Sequence, residues 1–244
     1  MSFALPGFFQ PLGFSPLQAD PYFWFEARNG MLDSSGADVA EGGVLAEVTD
    51  LSGNGRNLTQ ASTGNRPLAY PSGDGTGYAH FRTLSSGMKH MDCTFGASLT
   101  SMKFYSVFNI IGSPANGGRL FSMGSGGSDT NGQSWIPLYH SGGNLIQYHS
   151  AGNLSHSGGA TAGKHFIQSS TISGAQESNL DQGTTLTGSA TLNSLDFQRM
   201  SIGSNHSGSS SGIDLNIEMV IGVPHTISST VEEKLVDYIT TNFL

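Results

Sequence analysis

The chain has 244 residues, a formal charge of −8 and a single cysteine, and glycine fills 34 positions, about twice the ordinary share of roughly 7%. Only 11% of its residues are charged, against about 25% in ordinary domains, which excludes coiled coils and charge-laced helical bundles. The ten Lys and Arg stand singly, without the clustering that a phosphate backbone requires. No apolar run reaches the roughly 20 residues of a membrane span. Nucleic acid and membrane insertion are therefore not expected, and the lone Cys93 permits no intrachain disulfide.

In chain order, the first segment stands apart. Pro6, Pro11, Pro16 and Pro21 recur every five residues and forbid a helix, while Phe3, Leu5, Phe8, Phe9 and Leu12 supply apolar area that favours burial. Residues 1–13 read as an extended arm, either folded onto the chain's own core or docked into a neighbouring subunit. From Phe23 onward short strands alternate with turn-forming Gly, Ser and Asn clusters. Strands are expected at Lys103–Ile111, Asn144–His149, His165–Ile172 and Phe197–Ile202. In Ile213–Val223 the apolar Leu215, Ile217, Met219 and Ile221 alternate with Asp214, Asn216 and Glu218, which predicts a half-buried antiparallel strand. Ser229 and Glu232 have capping-box spacing, and Val231, Leu235, Tyr238 and Ile239 form one stripe, so a helix is expected to about Asn242. Together these elements predict an all-β, antiparallel jelly-roll sandwich with a short C-terminal helix.

Three segments carry a family resemblance. Pro16 with Tyr22-Phe23-Trp24-Phe25-Glu26-Ala27 is similar to the opening of concanavalin A-like, LamG-type jelly-roll domains, with Glu26 where an Asp is usual. Asp50-Leu51-Ser52-Gly53-Asn54-Gly55, followed by Thr59-Gln60 and Arg66-Pro67, resembles their D-x-S-G-N-G stretch. Ile202-Gly203-Ser204, Asn216–Ile221 and the terminal helix resemble their close. The resemblance covers residues 14–244 as one domain and implies that Trp24 sits in the core. Stand-alone copies with this opening look like bacteriophage tail, fibre or capsid-decoration proteins. That implies a non-enzymatic virion protein made in a host cytoplasm without a signal peptide, anchored to other virion proteins by its arm. Glycan binding at the host surface is one expectation and pure subunit clamping the alternative. A neutral, Gly- and Ser-rich surface also carries little self-repulsion, so homo-oligomers are expected.

Catalytic motifs are sparse. Glycosidases need two carboxylates in one cleft, and on this fold they share a strand as E-x-D-x-E. Here Asp214 and Glu218 flank Asn216, and Glu26, Glu41, Glu47 and Glu177 have no partner at strand spacing. His140, His149, His156 and His165 are spaced by 9, 7 and 9, unlike a zinc site. Asp129-Thr130-Asn131-Gly132 offers calcium too few oxygens, so no cofactor is expected. Cys93 lacks a nucleophile's context and reads as a buried hydrophobe, and Arg56 and Arg66 read as ion-paired scaffold. Between residues 120 and 198 amides and hydroxyls dominate, with Trp135, Tyr139, His140, Asn144 and Tyr148 close in sequence. Aromatic faces with neutral hydrogen-bonding groups suit a saccharide, which makes these five the candidate glycan site.

Overall fold

The computed structural model describes residues 13–73, 80–84, 89–111, 118–124, 134–149, 152–159, 161–172, 174–189, 197–204 and 213–244. The arm residues Phe3, Leu5, Phe8, Phe9 and Leu12, and the 129–132 loop, lie outside the described residues. The early strands are β1 (Phe23–Glu26), β2 (Met31–Leu32), β3 (Gly43–Val44), β4 (Glu47–Val48), β5 (Leu58–Thr59) and β6 (Leu68–Tyr70). They are followed by β7 (His80–Thr83), β8 (Met91–Leu99), β9 (Met102–Ile110), β10 (Arg119–Gly124), β11 (Ser134–Ser141) and β12 (Asn144–His149). The last six are β13 (Gly152–His156), β14 (Gly163–Ile172), β15 (Ala175–Leu180), β16 (Leu186–Gly188), β17 (Phe197–Ile202) and β18 (Leu215–Val223), and helix α1 spans Ser229–Phe243.

Among the described residues these strands form two antiparallel nine-stranded sheets. The first runs β16-β15-β14-β9-β18-β7-β6-β3, with β1 also pairing β18, and the second runs β13-β12-β11-β10-β17-β8-β5-β4-β2. Phe23, Phe25, Phe81, Phe104 and Phe108 of the first sheet pack against Phe95, Phe121, Met91, Met123 and Met200 of the second in one buried core. The expected sandwich with a C-terminal helix is the architecture observed. Among the described residues no helix is long and apolar enough to cross a membrane.

The Asp50 turn fastens β1 to the sandwich. Asp50 Oδ1 accepts from the backbone N–H of Trp24 and of Ser52, each at 3.0 Å, and Oδ2 from Ser52 Oγ at 2.7 Å and Arg56 N–H at 2.9 Å. Asn54 Nδ2 donates to the Pro21 carbonyl at 2.9 Å. Arg56 donates to the Tyr22 carbonyl and Arg66 to the Gln60 carbonyl, each at 2.8 Å. These arginines thus cap backbone acceptors where ion pairs were expected. Cys93 is 1% exposed, its Sγ is 3.0 Å from the Arg56 carbonyl oxygen, and burial pushes its thiol pKa up, so it is the buried hydrophobe expected.

Two expectations fail in β18. All nine of its residues are buried, because one face lines the inter-sheet core and α1 lies across the other. A register shift opposite β9 falls between Ile217 and Met219. Leu215, Ile217 and Val220 consequently face the inter-sheet core, whereas Met219, Ile221 and Val223 join the cluster under the helix. A bulge of this kind inserts one residue and inverts the alternation beyond it. Trp24 also departs from expectation. It pairs with Ile221 and packs, half-buried, beneath α1 rather than between the sheets.

The helix N-cap is Ser228, one residue earlier than the capping-box spacing indicates, with its Oγ accepting from Val231 N–H at 3.3 Å. Glu232 is thereby released from a capping role and reaches the sheet. At the other end, Lys164 on β14 donates to the Phe243 carbonyl at 2.8 Å and pairs with Glu218 at 3.0 Å. Burial raises the Glu218 pKa against the opposing influence of Lys164.

Candidate functional site

Helix α1 covers only part of the outer face of the first sheet. Its Leu235, Ile239 and Phe243 bury Tyr105, Val107, Phe166, Met219 and Ile221. Beyond the helix, toward the β16 edge, the same face is uncovered. Register determines what it presents. Lys103 pairs with Ser170 and Tyr105 with Gln168 across β9 and β14, and Ser170 pairs with Glu177 and Gln168 with Asn179 across β14 and β15. Paired residues share a face, and positions two apart on a strand share it too. The six residues therefore form a 3 by 2 patch, closed at one side by Glu232 from the first turn of α1. The resulting groove is about 190 Å³ and also takes in Thr185.

Charge inside the groove is partly neutralised. Glu232 ion-pairs with Lys103, and its Oε1 accepts from the Tyr105 hydroxyl at 2.6 Å. Burial, and then the bond to Glu232, raise the Tyr105 pKa, so this phenol stays protonated. Asn179 spends its amide N–H groups on the Gly183 carbonyl at 2.7 Å and on Thr185 Oγ1 at 3.1 Å, holding the rim. Gln168 and Glu177 make no side-chain hydrogen bond or ion pair among the described residues, and Glu177 is exposed. His225 lies within electrostatic reach. Burial and the Lys103 charge lower its pKa, against the pull of Glu177 and Glu232.

Two other recesses lie elsewhere on the described surface. One, of about 340 Å³ at an edge of the second sheet, is lined by Asp33, Glu47, Gln60 and Arg66, all of which are committed to neighbouring protein groups. The other, of about 370 Å³ between Phe14 and α1, includes Tyr238, which is held by Glu26 and Arg28. Among the described residues the groove on the first sheet pairs concavity with the uncommitted polar side chains of Gln168 and Glu177, a combination typical of ligand sites.

A His–Asp clamp holds the turn that leaves β15. His165 Nδ1 lies 2.8 Å from Asp181 Oδ2 and its Nε2 2.9 Å from the Thr161 carbonyl, while Asp181 Oδ1 accepts from Phe166 N–H at 2.7 Å. Asp181 and Gln182 adopt left-handed φ angles of 53° and 56°, which turns the chain from β15 toward β16. Burial alone would lower the His165 pKa, but acceptors on both ring nitrogens raise it above its ordinary value. A raised folded-state pKa gives stability that is complete below the unfolded value of about 6.5 and lost as pH rises through the folded value. His156 and His225, both with lowered values, work in the opposite sense. The difference in Tm between the native protein and His165→Gln is thus expected to shrink between pH 6 and 8, as differential scanning calorimetry will show.

The sequence-predicted residues lie elsewhere. Trp135, Tyr139 and His140 are on β11 and Asn144 and Tyr148 on β12, in one hairpin of the second sheet. Trp135 pairs with Met123 and His149, Tyr139 with Arg119 and Ile146, His140 with Leu145, and Ile136 with Tyr148. A register shift separates Ile136 from Tyr139. Asn144 accepts from Gly158 N–H at 2.9 Å and so pins a turn. The side chains of Trp135, Tyr139, His140 and Tyr148 lie outside what is described. Sequence reading missed Glu177 and Glu232 as partners because they meet from a strand and a helix 55 positions apart, where strand spacing carries no signal.

No protein-family model and no curated protein sequence matches the chain. The fold defines an all-β sandwich shared with carbohydrate-active enzymes. A GH54 α-L-arabinofuranosidase soaked with a cyclic sulfate inhibitor superposes with a TM-score of 0.63 at 14% identity, over 92% of this chain and 63% of that one. Trypanosoma rangeli sialidase in complex with sialic acid gives 0.59 at 12% identity, over 91% of this chain and 33% of that one. A receptor binding domain gives 0.59 at 10% identity, over 91% and 52%. The chain spans between about a third and two thirds of the length of these structures. The virion structural role expected from the family resemblance is overturned, since the neighbours include arabinofuranosidases and sialidases. The expectation that the chain is not an enzyme gains no support from neighbours that are themselves glycosidases.

Proposed function

We propose that this domain recognises carbohydrate, as a concanavalin A-like sandwich working in a carbohydrate-active protein, with the groove of the first sheet as its binding surface. The observation that carries the reading is the pair Gln168 and Glu177, polar, uncommitted and diagonal to each other in a concave patch. A saccharide is recognised by dense, oriented hydroxyls, and an amide beside a carboxylate accepts and donates to them without reorganising. The fold supports the same reading, because neighbours of this shape act on arabinofuranosides and sialosides. The hairpin carrying Trp135, Tyr139, His140, Asn144 and Tyr148 is the second candidate surface. Calorimetric titration with a panel of arabino-, galacto- and sialyl-oligosaccharides tests both. Gln168→Ala combined with Ser170→Ala is expected to weaken affinity about tenfold, near 1.4 kcal/mol, while Trp135→Ala leaves it unchanged. The reverse result moves the site to the hairpin, and no binding at millimolar sugar overturns the reading.

A second reading, glycoside hydrolysis, is favoured by one observation. Glu177 and Glu232 line a single groove, and glycosidases use two flanking carboxyl groups. Against it, both oxygens of Glu232 already have protein partners. Release of reducing ends from the same panel, abolished in Glu177→Gln, would establish hydrolysis.

A further inference from the structure

We infer that the groove selects neutral saccharides and rejects anionic ones, with Glu177 as the specificity-determining residue holding two adjacent sugar hydroxyls. The inference rests on the carbohydrate reading of the same groove and deepens it. Three observations carry it. First, Lys103 is the one cation lining the groove among the described residues, and its charge is cancelled by Glu232 at contact distance. No positive charge is left over for a sugar carboxylate or sulfate. Second, Glu177 is exposed on β15 with no hydrogen-bonding or ion-pairing partner among the described residues, so the groove holds one uncompensated negative charge. Third, Glu177 lies directly across from Ser170 on one side and Thr187 on the other, with Gln168 on its diagonal.

A carboxylate has two oxygens and about four acceptor sites. Neighbouring hydroxyls of a furanose or pyranose present two donors side by side, and bonds to an ionised acceptor are roughly twice as strong as neutral ones. Gln168 and Ser170 then supply donors to the oxygens of the same hydroxyls. A sialic acid or uronic acid in that position would bring its carboxylate against Glu177 with no cation between them, and like charges at close range disfavour the complex. The chain's formal charge of −8 adds to the repulsion at low salt.

The test compares the native protein with Glu177→Gln, which keeps shape and removes charge, by calorimetric titration against matched neutral and anionic ligands. Lactose and arabinobiose serve as neutral probes, and sialyllactose and glucuronyl-xylobiose as anionic ones. The native protein is expected to bind at least one neutral probe about tenfold more tightly than any anionic one. Glu177→Gln is expected to weaken the neutral probe about tenfold and to strengthen the anionic probes several-fold, the latter gain being larger at low ionic strength. Equal or tighter binding of an anionic probe by the native protein overturns the selectivity while leaving carbohydrate recognition intact. An unchanged preference in Glu177→Gln overturns the role of Glu177. Binding of no probe by either protein overturns the carbohydrate reading itself. Thermal unfolding of both proteins, expected at the same Tm because Glu177 is exposed and unpartnered, confirms that the comparison is made on folded material.

Discussion

Glu26→Ala is expected to remove about 3 kcal/mol of stability, measured by urea unfolding. Glu26 is 1% exposed and is surrounded by donors. Its Oε1 accepts from Trp24 Nε1 at 3.1 Å and from the Tyr238 hydroxyl at 2.7 Å, and its Oε2 from Arg28 Nε at 2.7 Å and Asn29 Nδ2 at 3.0 Å. Deleting the carboxylate strands these donors beneath the helix, and each unsatisfied buried group costs about 1–3 kcal/mol. Arg28 has a side-chain exposure of 39%, so water recovers part of its loss, which keeps the total near the lower end for a broken buried pair. Tyr238→Phe removes one neutral donor and is expected to cost about 1 kcal/mol. Burial, followed by the bond to Glu26, pushes the Tyr238 pKa up to about 12, so the phenol remains a donor throughout the accessible range of pH. The helix is thus tied down at Tyr238 by β1 and at its first turn by Lys103 and Tyr105. Loosening the first tie is expected to weaken groove binding less than it weakens stability.

Gly222→Ala is the second large effect, at about 3 kcal/mol in the same measurement. Gly222 pairs with Phe23 on β1 and Phe104 on β9. An added Cβ would lie 2.6 Å from Phe23 Cε1 and 2.9 Å from Met102 Sδ. Phe23 has no room to yield, since it is fully buried and stacked on Phe95 at 5.3 Å and on Phe25 at 5.7 Å between centroids. The strain must pass to the backbone pairing of β1 and β18. Phe23→Leu in the Gly222→Ala background gives the diagnostic. If the steric account holds, the double variant is less destabilised than the sum of the singles, because the smaller side chain vacates the space the methyl group needs.

The strand at 102–110 was legible through its dense β-branched and aromatic run, and those at 144–149, 163–172 and 197–202 through apolar residues set between turn formers. The helix was legible through its apolar stripe, and the Asp50 turn through the resemblance carried by Asp50–Gly55. The faces of β18 were not. Alternation in sequence assigns faces only while the pleat is uninterrupted, and one extra residue near Glu218 exchanges them without leaving any trace in composition. Coverage of the outer face hid the same strand's full burial, since Glu218 looks solvent-facing until Lys164 is placed against it and Asn216 until Arg82 is. The groove was the least legible part. Lys103, Gln168, Glu177 and Glu232 are ordinary surface residues in sequence, brought together by strand order and by a helix start shifted one residue from the capping signal. Glu232 illustrates the difficulty, because its spacing from Ser229 accounts for it so well as a helix cap that no second role is sought.

The pairing of β1 with β18 has a consequence for synthesis. Phe23 and Phe25 leave the ribosome before their strand partners, Gly222 and Val220, which follow almost two hundred residues later. At roughly 5–20 residues per second this is a wait of about 10–40 s. For that interval a nascent strand with two large aromatic rings and a free hydrogen-bonding edge has no native neighbour, which is the condition under which unfinished chains associate with one another. Yield in a fast, crowded expression host should therefore be governed by what shields this strand during elongation, and slower translation or added trigger-type chaperones acts on that step without altering the finished fold.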